Sequence, residues 1–424
     1  MIYKELHSYL KGFFSRSGSY VFIATIMARG LSFLTSLAAL YLIPSKTLGA
    51  VLFAYNIITF LIPISGLGLH QGLLRYGAIL KDQETKDSLF LYVFKNGFWA
   101  SLLLTFILVF ISILIPFQFK ETSKYLALLA FLLIPSYILE IIKIQFRLKN
   151  DNKSFAFSEI VYHSILIISV VLLSYFYKEM GYIAALLISP AITSFIFIKK
   201  LRINFQAKKK LAITNYRFWK YGFFTSLSNV IGQLLFVIDI LLIGILLNDP
   251  KMVTNYRYVS LIPFSLLFLP RVFINTDFVA FTEKIDDKKY IINYIKSYTI
   301  LFLIISIIFT FISFIFSNQI LSTLDESFTQ YSTAFFILTI GISGIYTSRG
   351  LYGNLLSSIG KATVNYYIAL SGLALNIISN YFLIPLYGIT GAAMTTAFLM
   401  WATGLASLIL FWFFYKKRIK KITI

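Results

Sequence analysis

Residues 19–43 read SYVFIATIMARGLSFLTSLAALYLI, an apolar run interrupted by a single charge, Arg29. A helix crossing the hydrocarbon core of a bilayer needs roughly 20 consecutive apolar residues, and this run supplies them. Basic residues precede it (Lys4, Lys11, Arg16), which superficially matches a secretory leader. A leader's apolar region is only about 7–15 residues long and ends in a small-x-small cleavage site, and neither condition is met. The stretch is therefore read as a first spanning helix.

Similar runs cover about 47–72, 89–115, 124–143, 155–177, 181–198, 218–247, 252–274, 291–316, 330–354, 365–384 and 388–414. Pro44-Ser45 and Asn248-Asp249-Pro250 are sharp turns after the first and seventh runs. No connection is long enough to fold separately. Across 424 residues, 58% are hydrophobic and 13% charged, with mean hydropathy +0.80. A soluble domain is about 45–50% apolar and about 25% charged. That difference excludes a soluble enzyme, a disordered chain and a fibrous repeat. The expected fold is an all-α polytopic membrane protein of twelve transmembrane helices, six in 1–205 and six in 206–424.

The 38 Lys+Arg exceed the 17 Asp+Glu by 21. With both termini in the cytoplasm, the inward-facing segments hold 27 of the basic residues, including Lys208-Lys209-Lys210, and the outward turns hold five. This is the positive-inside asymmetry of a membrane protein, so the charge calls for no nucleic-acid partner. A missed span would scramble it. Matches between the halves suggest a repeat: Pro63 with Pro270, Lys153 with Lys361, and Gly181 with Gly388, at offsets of 207 or 208 residues. Six helices per half give the copies one orientation, related by a pseudo-two-fold along the membrane normal.

A charge at mid-membrane costs about 2.5–3.5 kcal/mol on insertion scales, so ionisable residues there are functional candidates. The basic ones are Arg29, Lys95, Arg257, Arg271, Lys296 and Arg349; the acids are Glu140, Glu159, Asp239 and Asp277. Excess cations point to an anionic ligand, and the arginine fork suits phosphate. Arg29, Arg257, Arg349 and Lys95 are the candidate substrate-binding residues; Asp239 and Glu159 are the candidate ion-coupling acids. Asp239 and Arg257 lie at similar depth and read equally as a structural ion pair. Arg271, Lys296 and Asp277 read as snorkelling residues near helix ends. Glu140 and Lys143 are placed to pair at i,i+3, and His163 reads as a hydrogen-bonded core histidine.

Catalytic constellations are missing. Cysteine is absent, the three histidines form no metal-spaced pair, and no HExxH, GxSxG or Walker motif occurs. No enzyme, metal or cofactor is expected. Gly66-Leu67-Gly68-Leu69-His70-Gln71-Gly72 has the wrong spacing for a phosphate loop and sits at a predicted helix end. Without an ATP site, transport would draw on an ion gradient or the substrate's own.

Three stretches together resemble the O-antigen/oligosaccharide flippase branch of the multidrug/oligosaccharidyl-lipid/polysaccharide exporter superfamily. They are Pro63-Ile64-Ser65-Gly66-Leu67-Gly68-Leu69 with Leu74-Arg75-Tyr76, then Phe236 to Gly244 with Asn255-Tyr256 and Pro263 to Pro270. The third is Gly360-Lys361, Asn376 to Asn380 and Leu383 to Ala393. The resemblance implies a flippase moving an undecaprenyl-diphosphate-linked oligosaccharide from the cytoplasmic to the periplasmic leaflet of a bacterial inner membrane by alternating access. Its implied partners are that lipid-linked oligosaccharide, membrane lipids, a coupling H+ or Na+, and other glycan-assembly proteins. The alternatives are a multidrug exporter of the same superfamily, which should carry cavity carboxylates, and an integral-membrane glycan polymerase, which should carry a large external loop.

Overall fold

The computed structural model describes residues 19–422 except 81, 116, 118, 205–208, 210 and 212. The join placed between the halves at 205/206, and Lys4, Lys11, Arg16, Lys81, Lys208 and Lys210, therefore lie outside the described residues. Among those described, the chain is helical and contains no strand.

Helices α1 (Ser19–Leu42) and α2 (Ser45–Leu61) are followed by a 3-10 stretch at Ile62–Gly68 and then α3 (Leu69–Ile79). Next come α4 (Gln83–Leu114), α5 (Thr122–Ala130), α6 (Leu133–Leu148) and α7 (Asn152–Lys200). The remainder holds α8 (Tyr216–Leu247), α9 (Pro250–Val259), α10 (Leu261–Leu266), α11 (Phe268–Glu283) and α12 (Lys288–Ser322). Last are α13 (Ser332–Gly344), a wide turn at Ile345–Arg349, α14 (Gly350–Ser358) and α15 (Ala362–Ile422).

At about 1.5 Å per residue, α7 and α15 would each run to more than twice the roughly 30 Å of a bilayer core. Each is in fact two spans, joined where the backbone turns over at Lys178 (φ 49°, ψ −128°) and at Gly388 (φ 57°, ψ −135°). Residues 216–247 and 250–274 form two further spans, bent by 57° and 44°. Counted this way, the described residues carry twelve membrane-crossing elements, one for each apolar run of the sequence. Where spans start on the basic side, side chains cap them. Asp82, Asp151, Asn215 and Asp287 accept from the N–H groups of Thr85, Ser154, Arg217 and Tyr290, supplying acceptors that a helix start otherwise lacks.

The internal repeat is visible in these boundaries. Leu42 and Leu247, Ser45 and Pro250, and Gln83 and Lys288 each lie 205 residues apart. Further along, Leu148 and Ser358, Asn152 and Ala362, and the breaks at Lys178 and Gly388 lie 210 apart. The left-handed residues Asn150 (φ 56°) and Gly360 (φ 77°) keep that offset. So do Gly181 and Gly391, where a Cβ would strike the carbonyls of Leu173 and Leu383 across the break. Gly181 thus matches Gly391 rather than Gly388, and Lys153 matches Thr363 rather than Lys361. Identity matching in apolar sequence lands a few residues off, because the constraint lies in the turn geometry.

By packing, the chain forms two compact units whose main bodies are Tyr20–Thr254 and Asn255–Ile424. The first unit's core gathers Leu69, Leu73, Phe90, Val93, Tyr137 and Phe218 from α3, α4, α6 and α8. Helix α8, which opens the second repeat, packs in this unit: Gly222 approaches the carbonyl of Gly68 so closely that neither residue could carry a Cβ. The second unit's core is aromatic, with Tyr298 stacked on Phe302 and Phe302 edge-on to Tyr346.

Candidate functional site

In the second unit, Arg349 is held by two side chains of α15. Gly341 and Gly344 on α13 lie against Ala397 and Trp401 of α15 with no room for a Cβ, which brings the two helices into close contact. Immediately after, the helix widens by one residue over Ile345–Arg349, a distortion often found at functional sites. Arg349 closes that wide turn. Its Nη1 donates to Asn365 Oδ1 at 3.0 Å and to Ser407 Oγ at 2.6 Å. Asn365 is fixed in turn, donating to the Gly353 carbonyl at 2.5 Å and to Ser357 Oγ at 3.0 Å, while Ser407 donates to the Thr403 carbonyl at 2.8 Å. A guanidinium has five N–H donors. Two are used here, both on neutral partners, and among the described residues Arg349 has no ion pair. A half-buried cation held rigidly at one nitrogen, with the rest of its fork uncommitted, is suited to an anion.

The first unit carries a different arrangement. Lys143 on α6 lies 2.8 Å from Glu159 on α7 and 3.6 Å from Glu140, one turn back on its own helix. The ammonium is the most enclosed of the three, with 14% of its side chain exposed against 29% for Glu159 and 48% for Glu140. Arg29 of α1 and His163 lie within electrostatic reach of Glu159, and His70 within reach of Glu140. Two carboxylates and two cations leave the group near neutral. Nδ1 of His70 and of His163 has no hydrogen-bond partner among the described residues, so the hydrogen bond expected of His163 is not made at that atom.

The other predicted site residues are scattered. Lys95 is exposed on α4, Arg257 is half-buried on α9, and Asp239 is buried on α8. Asp277 is fully buried beside Tyr294, whose hydroxyl donates to it at 3.4 Å, so it does not snorkel. Arg271 and Lys296 are exposed, as snorkelling residues would be. Of the predicted set, Arg29 and Glu159 fall in one cluster. Sequence reasoning missed Lys143 as its centre, and missed Asn365 and Ser407 as the supports of Arg349. Asn365 gave some signal as an amide entering an apolar run; Ser407 gave none.

The glycine-rich stretch 66–72 falls at a helix end, as expected: the backbone breaks at Ser65–Gly68, where the 3-10 continuation of α2 closes, and α3 runs on from Leu69 to Ile79. Ser65 is extended, and Gly66, Leu67 and Gly68 adopt left-handed angles. Gly66 lies against the ring of Tyr137, whose hydroxyl donates to the Val93 carbonyl at 2.8 Å. His70 follows directly, its ring edge-on to Tyr137.

Outside the membrane, acids in the loops after the second and eighth spans meet bases after the sixth and on the twelfth. Lys209 lies 2.6 Å from Asp82 and 3.1 Å from Glu84, and Arg418 forks onto Asp286 at 2.6 and 3.0 Å. The Lys209 ammonium, helped by Thr85, holds the Asp82 carboxyl well below the usual carboxylate range. The hydrogen bonds from Arg418 lower the Asp286 carboxyl as well.

No protein-family model matches the chain, and no curated protein matches it in sequence. Solved structures do match in fold. An inward closed lipid II flippase MurJ superposes with TM-score 0.73 at 19% identity, covering 92% of this chain and 86% of that one. An inward-facing multidrug resistance MATE family transporter of the MOP superfamily gives 0.72 at 13%, covering 94% and 96%. A MOP superfamily transporter from Pyrococcus furiosus gives 0.67 at 16%, covering 96% of both chains. At these identities the likeness establishes the fold: twelve membrane helices arranged as in that superfamily's transporters.

Proposed function

We propose that this chain is a flippase for a phosphate-headed lipid, an undecaprenyl-diphosphate-linked oligosaccharide, carried from the cytoplasmic to the periplasmic leaflet of a bacterial inner membrane by alternating access of its two halves. The observation that carries this reading is Arg349: a rigidly held, half-buried guanidinium with only neutral partners. Such a group binds a diphosphate through charge-assisted forked hydrogen bonds. The fold shared with a lipid II flippase supports a lipid-linked cargo, and the motif resemblance points to oligosaccharide. Arg29, Arg257 and Lys95 remain subsidiary phosphate or sugar contacts in this proposal. Coupling falls to Glu159, whose partner Lys143 it would exchange for a proton or Na+, and to the buried Asp239.

The MATE neighbours favour a second reading, export of small molecules. A cationic drug needs an acid where Arg349 stands, and for the Pyrococcus furiosus transporter a reverse polarity of the binding pocket suggests a different function. The deciding experiment is flipping of a fluorescent undecaprenyl-diphosphate oligosaccharide in proteoliposomes, read by quencher accessibility. Losing a charge-assisted hydrogen bond of about 1.5–3 kcal/mol should slow Arg349→Ala by roughly 10- to 150-fold. Arg349→Lys should recover part of the rate, since it restores the charge without the fork. Normal flipping by Arg349→Ala would overturn the proposal.

A further inference from the structure

Between α4, α6 and the second limb of α7, the first unit holds a groove of about 460 Å3, the room needed for a single hydrocarbon chain. Its walls are Phe94 on α4, Phe131, Pro135 and Ile138 at and along α6, and Ala191 and Phe195 on α7. Small Pro135 and Ala191 leave the space that the aromatic residues frame. The wall offers a ligand little to hydrogen-bond: the hydroxyl of Ser194, which also lines it, donates back to the Pro190 carbonyl at 2.7 Å. Phe131 and Phe195 are 43% and 65% exposed, so the groove opens on the face that meets the bilayer. An apolar groove open to the hydrocarbon core fills with a lipid tail rather than water.

One end of the groove carries charge. Ala191, Phe195 and Lys199 follow one another at four-residue steps, so they share one face of α7. The Lys199 ammonium stands 4.4 Å from the centre of the Phe195 ring, beyond the groove's end in the last turn of the helix. Lys200 follows it, 5.6 Å from the ring of Phe157. Neither lysine has an ion pair among the described residues. An open apolar groove with a cation that has no ion pair next to one of its wall residues, in the last turn of the helix, complements a lipid with an anionic head.

We infer that this groove is a binding site for one acyl chain of an anionic phospholipid, with its phosphate on Lys199. The site belongs wholly to the first unit. It is separate from the Arg349 site, so it survives or fails independently of the transport proposal.

The test uses the full-length chain in liposomes, with Phe131→Trp as reporter at the groove rim and brominated-chain phosphatidylglycerol or phosphatidylcholine as quenchers at matched fractions. The signal is corrected by subtracting the unsubstituted protein, which has four tryptophans of its own. A lysine at the membrane surface contributes roughly a fivefold preference for anionic lipid. Phosphatidylglycerol should therefore quench at several-fold lower fraction than phosphatidylcholine. Adding Lys199→Gln should abolish that difference, and Lys199→Arg should keep it. Equal quenching by the two lipids, or a preference untouched by Lys199→Gln, would overturn the assignment. Unlabelled undecaprenyl phosphate should relieve the quenching no better than phosphatidylcholine does; strong relief would give the groove to the cargo lipid and overturn it equally. Ala191→Trp, which fills the slot, should remove phosphatidylglycerol retained through native mass spectrometry, and undiminished retention would count against the site.

Discussion

Arg349 and Lys143 are both cations taken partly out of water, and they differ in what compensates them. Lys143 has two carboxylates, so removing one exposes the cost of the rest. Breaking a fully buried pair costs about 3–5 kcal/mol, and the partial exposure of Glu159 lowers that to about 1–2 kcal/mol. Glu159→Gln should destabilise the fold by that amount, read as a lowered thermal midpoint. Lys143→Met with Glu159→Gln should be less harmful than the single change predicts, and a double-mutant cycle in detergent reads the difference. Arg349 has no acid to lose. Asn365→Ala should leave the fold intact, frees the guanidinium to swing, and should slow flipping with a smaller effect than Arg349→Ala. Arg29 and Glu159 were legible in the sequence because a lone charge in an apolar run stands out. The pairing of Glu159 with Lys143 was not, since it depends on how α6 and α7 are rotated toward each other.

At the scale of elements, the breaks are what shape this chain. Lys178 holds a backbone conformation that costs a residue with a Cβ about 1–3 kcal/mol, while the repeat uses glycine at the matching Gly388. Lys178→Gly should therefore raise stability by about 1 kcal/mol, and Gly388→Ala should lower it by a similar amount, although nothing crowds a Cβ there. Both are read as shifts in thermal midpoint. Contact dominates at the crossing of Gly68 and Gly222. Gly222→Ala would push a methyl against the Gly68 carbonyl and force α8 away from the broken second span, at a cost of about 1–3 kcal/mol from overpacking. The apolar runs announced the spans themselves. They did not announce the left-handed turn at residues 66–68, because that turn is set by the close approach of Tyr137 and Gly222 from other helices.

Outside the membrane, Asp82 pairs with Lys209 in the first unit and Asp286 with Arg418 in the second. Both carboxyls are depressed in the folded protein, so whatever stability they add is complete above the ordinary Asp value, about pH 3.9. It is lost only as pH falls further, through the depressed folded values. Hydrogen exchange of residues 82–88 should therefore be unchanged in protection between pH 7 and pH 5, after correction for intrinsic rates. Loosening at pH 5 would show that these contacts do not hold the loops.

Apolar run lengths, their number and the sign of charge between them are sums along the chain, so the sequence alone determined an all-helical membrane protein of twelve spans. A spanning helix that is apolar on every side carries almost no record of which face meets which neighbour. Only the tertiary structure could bring Asn365 and Ser407 to Arg349, set Lys143 between its two acids, and place α8 with the first unit. The reason is physical: crossing the bilayer depends on the transfer of each residue from water to hydrocarbon, whereas partner choice depends on helix rotation, which close glycine contacts and backbone breaks impose.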